Sequence, residues 1–215
     1  MIVLENVTKR YRTREGWRVV LDGVSATFPA GRNIGILGKN GAGKSTLIRL
    51  IAGAEHPDRG RIRRGMRVSW PLGFAGGFQG SLTARDNVRF VCRIYGADWR
   101  RVLDQVEDFA QLGPYLDMPV STYSAGMRAR LSLGLSLAIE FDCYLVDELP
   151  GVTDMRLRQK YTAIMQARRT RSSIILVSHS PAAIRQTCDA AAVLHRGRLV
   201  LTENVEAAIA FYGSL

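Results

Sequence analysis

A chain of 215 residues is long enough to bury a real core and too short for a many-domain assembly. Its 47% hydrophobic and 23% charged residues exclude wholesale disorder and collagen-like or low-complexity classes. The 30 Lys and Arg against 19 Asp and Glu leave a formal charge of +11, mostly arginine and scattered, with loose clusters at Arg59 to Arg67 and Arg156 to Arg171. That balance suits a solvated or membrane-facing basic surface and, less well, a nucleic-acid groove.

The opening IVLENV alternates as a half-buried strand does, and VVLDGVSATF reads as a second strand ending at the Pro29-Ala30-Gly31 turn, so an antiparallel sheet is expected at the N-terminus. Asn33 to Gly38 is a short buried strand running into glycines. Ser45 to Gly53 then carries Leu47, Ile48, Leu50 and Ile51 at helical spacing. From about Ala75 to Glu140 the pattern is helical: Thr83 can cap a helix around Asn87 to Tyr95, a second runs around Arg101 to Leu112, and a third follows Ser124. Phe141 to Asp147, Ser173 to Ser178 and Ala191 to Leu194 are strand-like, separated by helical segments at Arg156 to Arg169 and Pro181 to Cys188. This alternation predicts an α/β chain with a mainly parallel sheet covered by helices. No apolar run approaches the roughly 18 uncharged residues that span a bilayer. The N-terminus lacks the features of a secretory signal, which makes the cytoplasm the expected address. Cys92, Cys143 and Cys188, far apart and without CxxC spacing, read as buried reduced thiols.

Gly38-Lys-Asn40-Gly41-Ala42-Gly43-Lys44-Ser45 fits G-x-x-x-x-G-K-[ST], after a buried strand and before a helix, and Thr46 follows directly. The glycines let backbone N–H groups wrap a phosphate chain, Lys44 reaches the β and γ phosphates, and the Ser45 hydroxyl can ligate Mg²⁺. Downstream, Cys143 to Val146 ends in Asp147-Glu148, two carboxylates at the edge of the sheet where ligands bind in such folds. The first acid can hold Mg²⁺ and the second can position or deprotonate an attacking water, so hydrolysis is the expected chemistry. His179 follows another buried strand and stands at the same edge. His56 and His195 sit in turn-like polar sequence and read as structural or surface groups.

Tyr123-Ser124-Ala125-Gly126-Met127, placed before a helix and between the phosphate loop and the acidic pair, resembles the LSGGQ signature, and the whole chain resembles the nucleotide-binding subunit of an ABC transporter. The resemblance implies a P-loop NTPase core with helices on both faces of its sheet, an N-terminal antiparallel β-subdomain and an inserted α-helical subdomain. It places the core at 1–73 and 141–215 and the helical insert at 74–140 of one ATP-binding domain. It also implies ATP and Mg²⁺ as ligands, and a head-to-tail homodimer in which Ser124, Ala125 and Gly126 of one copy cap the γ-phosphate held by the other.

Under the same resemblance, Tyr11 matches the aromatic that stacks on adenine, with Trp17 close enough to compete, and Asp154 stands where the family links the two sites across the dimer. Leu149-Pro150-Gly151 departs from the usual sequence after the glutamate. Gln79 lies closer to Thr83 than the metal-linked glutamine of the family usually does, so it either takes that role or belongs to the glycine-rich loop Trp70 to Gln79. Phe74, Phe78 and Phe90 then either grip a membrane partner's cytoplasmic helix or pack in an ordinary core.

The AGGF loop, the YSAGMRARL signature and the short sequence after Tyr212 resemble the polysaccharide-export subfamily, and within it the capsule exporters. O-antigen and teichoic-acid exporters are the nearer alternatives. The implied assembly is two copies of this chain on a separate integral membrane permease at the cytoplasmic face of the bacterial inner membrane, without nucleic acid. A soluble ABC ATPase acting on the ribosome or DNA is disfavoured by the single cassette and the lack of a long insertion between Lys44 and Ser124. A cassette that binds nucleotide without hydrolysing it is disfavoured by the presence of Lys44, Ser45, Asp147, Glu148 and His179.

Overall fold

The structure is a computed structural model that describes residues 1–73, 75–147 and 154–215. It resolves into two compact units, Met1–Pro71 with Phe141–Glu148 and Arg168–Leu215, and Leu72–Glu140 with Leu149–Ala167.

In the first unit, β1 (Ile2–Thr13) pairs antiparallel with β2 (Gly16–Phe28) on one side and with β4 (Arg59–Arg64) on the other. A second sheet is built from β3 (Asn33–Leu37), β5 (Val68–Pro71), β6 (Cys143–Asp147), β7 (Ser173–Val177), β8 (Ala190–His195) and β9 (Arg198–Thr202), in the order β5-β6-β7-β3-β8-β9. All its pairings are parallel except β8 with β9. Period-two alternation sorts the side chains of β8: Ala190, Ala192 and Leu194 join the cluster containing Ile2, Leu4, Val24 and Phe28, whereas Ala191 and Val193 join a second cluster with Ile184 and Ala208. The three-stranded sheet and α1 (Lys44–Ala52) therefore cover one face. The helices α6 (Pro181–Thr187) and α7 (Val205–Gly213) cover the other, as expected for a sheet buried on both sides.

The C-terminus of α1 is closed twice. Gly53 adopts φ 80° and donates to the carbonyls of Arg49 and Leu50, while Arg64 of β4 donates Nε to the Ile51 carbonyl at 2.7 Å and Nη2 to that of Leu50 at 2.5 Å. The helix that follows the phosphate loop is thus tied at its far end to the antiparallel sheet.

The second unit holds α2 (Ala84–Tyr95), α3 (Trp99–Ala110), α4 (Ala125–Ala138) and most of α5 (Met155–Arg169). The first three have side-chain caps: Thr83, Asp98 and Ser124 accept from the amides of Asp86, Arg100 and Met127. Gly134 of α4 lets that helix approach α3 closely, since a Cβ there would stand 3.3 Å from Phe109 Cδ1.

The elements expected from the sequence all form, with ends moved by one to three residues, except that β1 extends beyond the expected opening segment to Thr13. Among the described residues, four strands and α-helices lie beyond those expectations. The strand β4 reads RGRIRR, in which only Ile62 is apolar, and β5, β9 and α7 are short or only half-buried. Their neighbours, rather than their own patterns, make them regular: the three strands through pairing, and α7 through the Asn204 cap and the packing of Ala208 in the second cluster.

Candidate functional site

The phosphate-loop sequence runs from the end of β3 into α1. Gly43 occupies the N-cap position at φ 104° with no side-chain cap, and Gly41 has φ 78°. The amides of the first turn of α1 are therefore without a capping side chain, at the positive end of the helix. Lys44 Nζ donates to the carbonyls of Gly38 at 2.6 Å and Lys39 at 3.2 Å, and the Ala42 amide to that of Lys39 at 3.1 Å, so the loop folds back on its own lysine. Gly38 and Ala42 shape the loop from behind. A Cβ at Gly38 would lie 2.8 Å from the Leu194 carbonyl, and Ala42 packs on the core.

Beside this loop is an open cleft of about 590 Å³. The structure brings Asn40, Gly41, Gly43, Lys44, Ser45 and Thr46 to its wall, with Tyr11 from β1 on one side and Asp147 from the end of β6 on another. Trp17 is not in it. Tyr11 and Trp17 are separated by strand alternation: Tyr11 faces Arg18 across the hairpin, whereas Trp17 faces Arg12, is 61% exposed and lies under the Arg10 guanidinium at 4.5 Å. Of the two aromatics, Tyr11 is the one that lines the cleft.

The ring of Tyr11 is also held at its far end. Its hydroxyl donates to Glu55 Oε2 at 2.5 Å, and Glu55 Oε1 accepts from Arg49 Nε at 2.6 Å. Burial pushes the Glu55 carboxyl up, but the hydrogen bonds from Tyr11 and Arg49 outweigh it and leave the group below its ordinary value. A charged Glu55 thus fixes the ring against α1.

Asp147 is half-buried and pairs in register with Val177 of β7. His179, two residues beyond Val177, is exposed at the same carboxyl edge but does not line the cleft. Glu148, the Leu149-Pro150-Gly151 stretch and Phe74 lie outside the described residues.

Ser124, Ala125 and Gly126 are exposed at the start of α4, where Ser124 Oγ accepts from the Met127 amide at 3.2 Å. Tyr123 beneath them is buried, donates to the Tyr115 carbonyl, and has its phenol pushed up to about 12 by burial and by Asp117 and Glu107. Asp154 caps α5, accepting from the amides of Arg156 at 2.8 Å and Leu157 at 3.4 Å.

Gln79 is exposed in the helical unit. Its side chain donates to Ser81 Oγ at 3.2 Å, and its backbone is gripped by the buried Asn87, which accepts from the Gln79 amide at 2.9 Å and donates to its carbonyl at 3.1 Å. Phe78 is half-buried and Phe90 59% exposed, so Phe90 is not a core aromatic.

Thr13, Arg18 and Val20 also line the cleft, and sequence reasoning passed over them, as it did Glu55 and Arg49. The signal that finds the first group is the hairpin register, which sets Arg18 opposite Tyr11.

Residues 21–150 match the family model described as ABC transporter. The chain belongs to the ABC transporter family. ABC relatives match it along its whole length: it is 54% identical to the capsule polysaccharide export ATP-binding protein CtrD of Neisseria meningitidis serogroup B over 100% of both chains. It is 48% identical to the polysialic acid transport ATP-binding protein KpsT of Escherichia coli over 99% of this chain and 98% of that one. Among solved structures, a dimeric ATP-binding cassette in a post-hydrolysis state bound to ADP and Pi superposes with a TM-score of 0.76, 19% identity, and coverage of 93% of this chain and 96% of the other, which establishes the shared fold. Among the described residues no helix is long and apolar enough to cross a membrane.

Proposed function

We propose that this chain is the ATP-binding and ATP-hydrolysing subunit of an ABC transporter that exports a polysaccharide, most specifically a capsular glycan. The observation that carries the nucleotide half of this reading is the convergence of the open first turn of α1, Lys44, Ser45, Asp147 and Tyr11 on one cleft. The full-length similarity to capsule-export and polysialic-acid-transport subunits supports the cargo class.

In this reading the glycine-loop amides and Lys44 hold the phosphate chain, and Tyr11, fixed by Glu55, stacks on the base. Ser45 and Asp147 supply hard oxygen donors suited to Mg²⁺, and the described residues hold no cluster of three or more His, Cys, Asp or Glu, so other ligands would come from phosphates and water. A bound Mg²⁺ would neutralise charge on the β and γ phosphates. Gln79 would join the metal site by the family pattern alone, since in this structure its backbone is bonded to Asn87 of α2 and its side-chain amide to Ser81.

Glu148 would orient the attacking water and accept its proton, and His179, at the carboxyl edge of the sheet, would contact the γ-phosphoryl group as it passes from the departing ADP to that water. The exposed Ser124-Ala125-Gly126 start of α4 would close the site of a second copy by the same helix-terminus anion capture, with Asp154 relaying between the two sites. The chain would operate as one ATP-binding domain, core at 1–73 and 141–215 and helical insert at 74–140. Its homodimer would sit on a membrane permease at the cytoplasmic face of the inner membrane, with closure on ATP and reopening after hydrolysis driving the glycan outward.

Changing Glu148 to Gln tests the mechanism. Multiple turnovers should stop while ATP still drives dimer formation, and unchanged phosphate release would remove Glu148 from the role. Mass spectrometry of what the tagged E148Q chain retains from native membranes with ATP and Mg²⁺ tests the assembly. One multi-spanning membrane protein in about equal amount is expected, and ribosomal proteins or nucleic acid without it would refute the export reading.

A further inference from the structure

We propose that Arg18 is a phosphate-binding residue of the nucleotide cleft, a cation delivered from the β1–β2 hairpin onto the phosphate chain. The proposal rests on the nucleotide reading of the cleft and adds to it a residue that lies outside the phosphate-loop sequence.

Three observations converge. Arg18 sits directly opposite Tyr11 in the hairpin, and cross-strand partners project on the same face, so the aromatic and the guanidinium enter the cleft side by side. The guanidinium reaches the phosphate loop itself, since a Cβ built on Gly41 would meet Arg18 Nη2 at 3.8 Å. Arg18 also lacks an internal counter-charge: among the described residues its side chain has no hydrogen bond or ion pair, whereas Arg32, Arg49, Arg61, Arg63, Arg85 and Arg185 each pair with a carboxylate.

The charge balance of the cleft calls for such a group. Lys44 is the other cation on its wall, and its ammonium is already hydrogen-bonded to two loop carbonyls. A triphosphate brings three to four negative charges, and a planar guanidinium with paired donors suits phosphate oxygens better than a point charge does. Arg10 and Arg12 alternate to other positions of the hairpin, with Arg10 over Trp17 and Arg12 opposite it, and neither lines the cleft.

Calorimetric titration of the full chain with ATP and with AMP, at fixed ionic strength, tests this. Arg18→Ala should raise the Kd for ATP about tenfold, or about 1.4 kcal/mol, and change that for AMP far less, because the lost contact is to the phosphate chain. Arg18→Lys should recover part of the loss, and Arg12→Ala should leave both affinities unchanged. An unchanged Kd for ATP in Arg18→Ala, beside wild-type chain that binds and Lys44→Ala that does not, would overturn the role of Arg18 and leave the nucleotide site standing. Equal weakening of ATP and AMP would overturn it too, since the side chain would then act on the placement of Tyr11. Wild-type chain that fails to bind ATP would overturn the nucleotide reading and this proposal with it.

Discussion

The two left-handed glycines of the phosphate loop should respond differently to the same substitution. Gly41 and Gly43 both have positive φ, 78° and 104°, so alanine at either position costs about 1–2 kcal/mol in backbone strain. At Gly41 the new methyl would find only the mobile end of Arg18 at 3.8 Å. At Gly43 it would meet Val20 Cγ1 at 2.6 Å and the Val20 carbonyl at 3.2 Å. Val20 is β-branched and stiff, and its carbonyl moves only if β2 moves, so an overpacking cost of about 1–3 kcal/mol adds to the strain. Gly43→Ala is therefore expected to destabilise by about 4 kcal/mol and Gly41→Ala by about 1.5 kcal/mol, lowering Tm by about 12 °C and 4 °C at the 2–4 °C per kcal/mol typical of this chain length. Thermal unfolding followed by circular dichroism, with ATP titrated into each variant, gives both numbers. Gly43→Ala should also lose ATP binding, because relieving the clash displaces the first turn of α1. Equal Tm losses in the two variants would refute the argument that β2 buttresses the loop at Gly43.

Asp154→Ala should lower stability by about 1 kcal/mol through loss of the α5 cap, and Asp154→Asn should restore it; if ATP turnover falls in both variants while Tm recovers only in the second, the residue has a role beyond capping. The thiols of Cys143 and Cys188 are pushed up to about 12 by burial, and that of Cys92 is raised by the same cause, so all three should resist a thiol reagent at neutral pH and titrate together on denaturation. A fast-reacting thiol in the native chain would contradict the packing around it. Because Tyr11 depends on a charged Glu55, Glu55→Gln should raise the KM for ATP a few-fold with kcat unchanged, and a fall in kcat at unchanged KM would contradict a purely positioning effect.

Much of the site was legible in the chain because its residues are contiguous or stand at strand ends. Gly38 to Ser45 needs only a strand before it and a helix after it, and Asp147 is found by following an apolar run to its last residue. Thr83 was readable as a cap for the same local reason, and its side chain does accept from the Asp86 amide. The arginine-rich β4 was not, since Ile62 alone carries its burial and the remainder of its order comes from pairing with β1. Nor was the partition of Tyr11 from Trp17, which follows from the hairpin register that sets Tyr11 opposite Arg18 and Trp17 opposite Arg12.

The sequence by itself therefore determined the phosphate-loop helix, the acidic strand end and the α/β order, all of which rest on short-range backbone propensities and period-two or 3.6-residue burial. Only the tertiary structure decided that Arg18 shares the cleft with Tyr11, that Glu55 and Arg49 lock that ring, and that Val20 forbids a side chain at Gly43. Those relations join β1, β2 and α1 across turns and bulges. A one-residue change of register would reverse which side chains face the cleft, and long-range pairing is what fixes that register.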